Sequence, residues 1–224
     1  ITSLKFHQPN SITDIKSVTD FNTLYKNIIS EYLVTSKDIP TIEYVTVFNE
    51  MHEFYGDTAN HIYMIELFDL VKSNGYKTGI TLSNNDRNAM GSECDSIFNN
   101  SDVIFLNFYP VIAYDLEILN QQQMIDSVNY QLLKIMKYKK YKKPIILSEC
   151  GCGNKNLSLL EPSRYYWSGI NVEDSNGNSP YLFFKSIFNS NINGNDISEM
   201  WLWFDYYLHY DFIYEIFREF LSAK

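Results

Sequence analysis

Short apolar, β-branched runs alternate along this chain with longer stretches whose apolar residues recur every three or four positions. The first pattern predicts strands at 1–6, 42–48, 76–82, 102–108, 144–148 and 197–204. The second predicts helices at 20–33, 57–73, 115–138, 181–188 and 212–222, with a shorter, partly helical piece around 88–98. In the helix at 20–33 the apolar positions are Phe21, Leu24, Ile28 and Ile29. In the helix at 57–73 the inner stripe is Met64, Leu67, Phe68 and Val71, and Gly75 supplies the stop. Residues 150–180 carry neither pattern and read as a long loop.

The alternation is therefore strand, helix, strand, about six times over. Val103-Ile-Phe-Leu106 and Ile145-Ile-Leu147 are continuously apolar, as parallel strands covered on both faces must be. This predicts an α/β fold with parallel crossovers, either a barrel or a doubly wound sheet, in one domain spanning residues 1–224. No Gly-x-Gly-x-x-Gly turn or P-loop is present, which removes support from the nucleotide-binding versions.

The two ends of the predicted strands differ in chemistry. The C-terminal ends read His7-Gln-Pro-Asn10, Asn49-Glu50, Ser83-Asn84-Asn85, Asn107-Phe-Tyr109-Pro110, Ser148-Glu149 and Trp201-Leu-Trp203-Phe-Asp205. The N-terminal ends carry ordinary turn residues. Polar residues gathered on the C-terminal rim mark that rim as the candidate site. Two apolar runs finish in a carboxylate, Glu50 and Glu149. A half-buried carboxyl suits a proton donor, and one held ionised by hydrogen bonds suits a nucleophile. Each also has a plainer reading, Glu50 as a solvated loop residue beside Glu53 and Glu149 as an ordinary carboxylate at a helix N-terminus.

Composition narrows the partners. The net charge is −9 and the pI about 4.9, which excludes a nucleic-acid backbone as the expected ligand. The one basic cluster, Lys137 to Lys143, reads as a helix C-terminus, where cations suit the dipole. No apolar run is long enough to cross a membrane. Aromatic residues make up 16% of the chain, which suits core filling and polar ligand sites alike and decides nothing by itself. The spacing of Cys94, Cys150 and Cys152 matches no zinc or redox motif and leaves open one bridge with one thiol over. His52 and His61 match no metal spacing, so no metal and no cofactor is expected. The sequons at Asn99 and Asn156 are compatible with an extracellular protein.

The ordered strand-end motifs resemble those of clan A of the glycoside hydrolases, the (β/α)8 enzymes that include cellulase- and mannanase-like families. The resemblance rests on Val47-Phe-Asn49-Glu50 at the end of strand four and Pro144-Ile-Ile-Leu-Ser-Glu149-Cys-Gly151 at the end of strand seven. It implies Glu50 as acid/base and Glu149 as nucleophile of a retaining hydrolase of β-linked glycans, working through a glycosyl-enzyme. It further implies sugar contacts from Asn49, His7, Asn107 and Trp203, and a Tyr109 hydroxyl that holds the nucleophile. The expected partner is an oligosaccharide or polysaccharide. If Glu50 ends strand four, the first two βα units of the barrel are absent from these residues, and the early Arg of cellulase-like members has no counterpart. Two other functions fit the same rim, a carbohydrate-binding pseudoenzyme and a metal-dependent barrel enzyme with Glu50, Glu149 and Asp205 as oxygen ligands. Trp201 is expected in the core, and Tyr165-Tyr-Trp167 as a lid or a small satellite core.

Overall fold

The computed structural model describes residues 2–7, 18–39, 42–50, 52–83, 91–114, 120–152, 158–160, 162, 178–194, 197–202 and 218. They fall into two compact units, Ile1–Leu106 with Lys140–Ile145, and Asn107–Lys139 with Ile146–Lys224.

In the first unit the elements run β1 (Thr2–His7), α1 (Val18–Ser36), β2 (Ile42–Asn49), α2 (His52–Tyr55), α3 (His61–Ser73), β3 (Lys77–Leu82), α4 (Asp95–Asn100) and β4 (Ile104–Asn107, of which Asn107 belongs to the second unit). The strands are parallel and lie in sequence order, each paired with the next. Helices between them carry the chain back, as parallel pairing requires. The predicted stripe of α3 is buried as expected, at Met64, Leu67, Phe68 and Val71.

Of the apolar positions expected on α1, Ile29 is buried and Leu24 and Ile28 are not. Tyr25, Ile29 and Leu33 are buried, whereas Leu24 is 62% exposed and Ile28 38%. Residues four apart share a helix face, and the row through Tyr25 wins because its ring reaches Phe48 and its hydroxyl donates to the Val47 carbonyl. Burial also pushes the Tyr25 phenol well above its ordinary range.

Two backbone features shape β2 and β3. The β2–β3 register slips between Thr46 and Phe48. Such a slip turns later side chains to the other face of the sheet. Tyr44 meets Phe105 edge-on on one side, and beyond the slip Phe48 packs against Tyr25, Phe54 and Tyr55. A β-carbon on Gly79 would lie 2.1 Å from the Val103 carbonyl oxygen, so only glycine lets the chain pass there.

The second unit contains α5 (Gln121–Ile135), β5 (Ile145–Cys150, of which Ile145 belongs to the first unit), α6 (Asn178–Phe188) and β6 (Ile197–Leu202). Asn120 caps α5, its Oδ1 accepting from the Gln122 and Gln123 amides. The α-helix ends at Ile135, short of the expected 138, and the lysine cluster lies in and after a 3₁₀ turn at Met136–Tyr141 instead of forming the helix C-terminus. Lys140 and Tyr141 both bind Asp95, whose carboxyl they hold below the usual carboxylate range. α6 begins at Asn178, earlier than its apolar pattern predicts. The expected helix at 212–222 lies outside the described residues apart from Arg218, as does most of the long loop at 150–180 with Tyr165, Tyr166 and Trp167.

Candidate active site at the strand ends

The β2 run ends in Asn49 and Glu50. Asn49 is buried and Glu50 half-buried. Glu50 adopts φ 55°, the left-handed region that an L residue with a β-carbon enters at a cost of about 1–2 kcal/mol. Its N–H donates to the Thr81 carbonyl at 3.0 Å. Asn49 is level with His7 on β1 and with Thr81 on β3, so the polar strand ends of this unit stand at one height. Only the backbone of His7 is among the described features. On these strands, the hydroxyls of Thr46 and Thr81 are buried with no hydrogen-bond partner among the described residues.

In the second unit, Glu149 is the penultimate residue of β5 and half-buried. The Tyr109 hydroxyl donates to Glu149 Oε2 at 2.9 Å. The Phe108 N–H donates to the Glu149 carbonyl at 2.7 Å. A tyrosine from one strand end thus aims the carboxylate on another, a contact that the family resemblance implies. Just beyond, the Ile112 and Ala113 amides are held by the Leu159 carbonyl. Gln131 and Ser127 of α5 bind the Val111 backbone from the other side.

Asn107 is only 1% exposed, and its Oδ1 accepts from the Ser148 hydroxyl at 2.9 Å. Here it braces the strand that carries Glu149. Ser148, on the polar rim just before Glu149, is the partner that the folded chain gives Asn107.

Trp203 and Asp205 lie outside the described residues. Trp201 is half-buried rather than in the core, because its indole N–H reaches the Glu199 carboxylate at 3.0 Å and keeps one edge toward polar surroundings. All three cysteines are buried thiols, so the bridge left open by their spacing is not made. Burial raises the Cys94 thiol to about 11 and pushes the Cys150 thiol well above its ordinary range, which disfavours the thiolate needed for nucleophilic work. His61 is buried between Ser96 and the Tyr55 carbonyl. Among the described residues no three His, Cys, Asp or Glu side chains group as metal ligands, and no helix is long and apolar enough to cross a membrane.

No sequence family profile matches the chain, and no curated protein matches it. Solved structures do. A GH113 β-1,4-mannanase superposes with a TM-score of 0.65 at 15% identity, over 92% of this chain and 64% of its own. The GH113 β-mannanase of Alicyclobacillus acidocaldarius gives 0.68 at 13% identity, over 97% and 67%. A glycoside hydrolase family 5 mannosidase from Rhizomucor miehei gives 0.57 at 15% identity, over 85% and 48%. The chain therefore spans about two thirds of the length of the two mannanases. With its parallel strands alternating with helices, it has the partial (β/α)-barrel fold of the clan A glycoside hydrolases.

Proposed function

We propose that this chain is a retaining glycoside hydrolase acting on a β-linked glycan, built on a single barrel domain. The observation that carries the reading is the Tyr109 hydroxyl on Glu149 Oε2, at the end of the Ile-Ile-Leu-Ser-Glu strand. A donor placed on one carboxylate oxygen fixes the orientation in which a nucleophile attacks. Glu149 attacks the anomeric carbon, and the glycosidic C–O bond breaks as Glu50 gives its proton to the leaving oxygen. Glu50 then takes a proton from water, which attacks the same carbon and releases Glu149. Asn49, His7 and Trp203 are proposed as the sugar-contacting set, as the family resemblance implies, while Tyr109 holds the Glu149 carboxylate and the buried Asn107 braces its strand.

The test is Glu149→Ala assayed on β-1,4-linked manno-oligosaccharides and aryl β-glycosides. Turnover falls by at least about 10⁴-fold, and added azide restores part of it as a glycosyl azide. Activity close to the unsubstituted protein would sink the assignment.

The polar strand ends, Asn49, Glu50 and Glu149 among them, also fit a second reading, a carbohydrate-binding pseudoenzyme. Oligosaccharide binding without hydrolysis, and without labelling of Glu149 by a 2-fluoro-glycoside, selects that alternative.

A further inference from the structure

We propose that Tyr55, supported by His61, is a positioning residue for Glu50. The inference rests on the reading of Glu50 as proton donor and identifies what holds it in place.

Glu50 needs holding. Its backbone sits at φ 55°, which for a glutamate persists only where neighbours over-determine it. One such neighbour is the Thr81 carbonyl, which accepts the Glu50 N–H at 3.0 Å. The same oxygen accepts the Tyr55 hydroxyl at 3.2 Å. A carbonyl oxygen has two lone pairs, so these two donors complete it.

Tyr55 is itself fixed at its other end. It is fully buried and meets Phe48 edge-on. Its carbonyl accepts from His61 Nε2 at 2.8 Å and from the Cys94 thiol at 3.6 Å. A carbonyl can only accept, so Nε2 carries the imidazole proton. Nδ1 then accepts from the Ser96 hydroxyl, 3.0 Å away. The network runs from Ser96 on α4 through His61 on α3 and Tyr55 on α2 to Thr81 on β3, and ends on the Glu50 amide. Every member lies in the first unit.

The chemistry of residue 55 is the telling part. Packing against Phe48 asks only for a ring, which phenylalanine supplies. A phenol buried this completely costs desolvation that its hydrogen bond must repay. That bond goes to a carbonyl that also accepts the Glu50 N–H.

Tyr55→Phe keeps the ring and removes this contact. A misplaced proton donor slows only reactions whose leaving group needs a proton. For a β-linked oligosaccharide, kcat/KM should fall about tenfold. For the 2,4-dinitrophenyl β-glycoside, whose leaving group departs unprotonated, it should stay within about twofold. His61→Leu removes the donor to the Tyr55 carbonyl and should show the same selective loss at roughly threefold, which keeps the test open should Tyr55→Phe fold poorly. Equal losses on both substrates, or none on either, overturn the positioning role while leaving the hydrolase reading intact. If the unsubstituted protein cleaves neither substrate and takes no fluoro-sugar label, the hydrolase reading falls and this inference with it.

Discussion

At Glu50, backbone and side chain make opposite demands. The left-handed backbone suits glycine, and a carboxylate is retained there. Glu50→Gly should therefore be more stable than Glu50→Ala by about 1 kcal/mol, because alanine keeps the β-carbon that the conformation opposes. Both substitutions remove the proposed proton donor. Urea denaturation of the two variants checks the difference, and equal midpoints would mean that the turn relaxes around either residue. Glu149 depends instead on a side-chain partner. Tyr109→Phe deletes the hydrogen bond to its Oε2 while keeping a buried ring. Bonds to charged groups contribute about 1.5–3 kcal/mol, so kcat/KM should drop by roughly 10- to 100-fold with little change in melting temperature.

Individual elements show how packing selects among faces that periodicity allows. Leu24 and Ile28 follow helical spacing as well as Tyr25 and Ile29 do, yet only the second row is buried. The expected consequence is a contrast. Ile29→Ala should cost about 2–4 kcal/mol through lost burial and a cavity, while Leu24→Ala should stay within about 0.5 kcal/mol. Thermal melts of the two variants would reveal comparable losses if both rows were in fact covered. β2 makes the same point for a strand. Alternation alone would keep Tyr44, Thr46 and Phe48 on one face, and the slip between Thr46 and Phe48 redirects the later side chains just before Asn49 and Glu50.

For the whole molecule, a net charge of −9 disfavours a nucleic-acid backbone as partner. Double displacement predicts that the first-formed product keeps the β-configuration, which proton NMR of the early reaction resolves from the slowly mutarotating mixture. An α-product would replace the mechanism by inversion and require a wider gap between the two carboxylates. Hydrolysis should also persist in a strong chelator, whereas its loss would revive a metal-dependent role for Glu50, Glu149 and Asp205.

Much of this molecule was legible in residue order alone. The strand–helix alternation and the inner face of α3 follow from local rules, because periodicity and turn chemistry act within a few residues, whereas the Tyr109–Glu149 pairing was expected only from the family resemblance. What required the folded chain was set by neighbours distant in sequence. The buried row of α1 depends on Phe48, and the glycine at 79 on the Val103 carbonyl. Asn107 turns inward because Ser148, forty-one residues on, offers it a hydroxyl. The left-handed Glu50 and the Tyr55–His61 network behind it left no trace in spacing or composition. Sequence pattern determined which elements form and which strand ends are polar. Tertiary packing decided which of those polar groups face outward and which hold the others in place, because burial and hydrogen-bond partnership are properties of positions that only folding brings together.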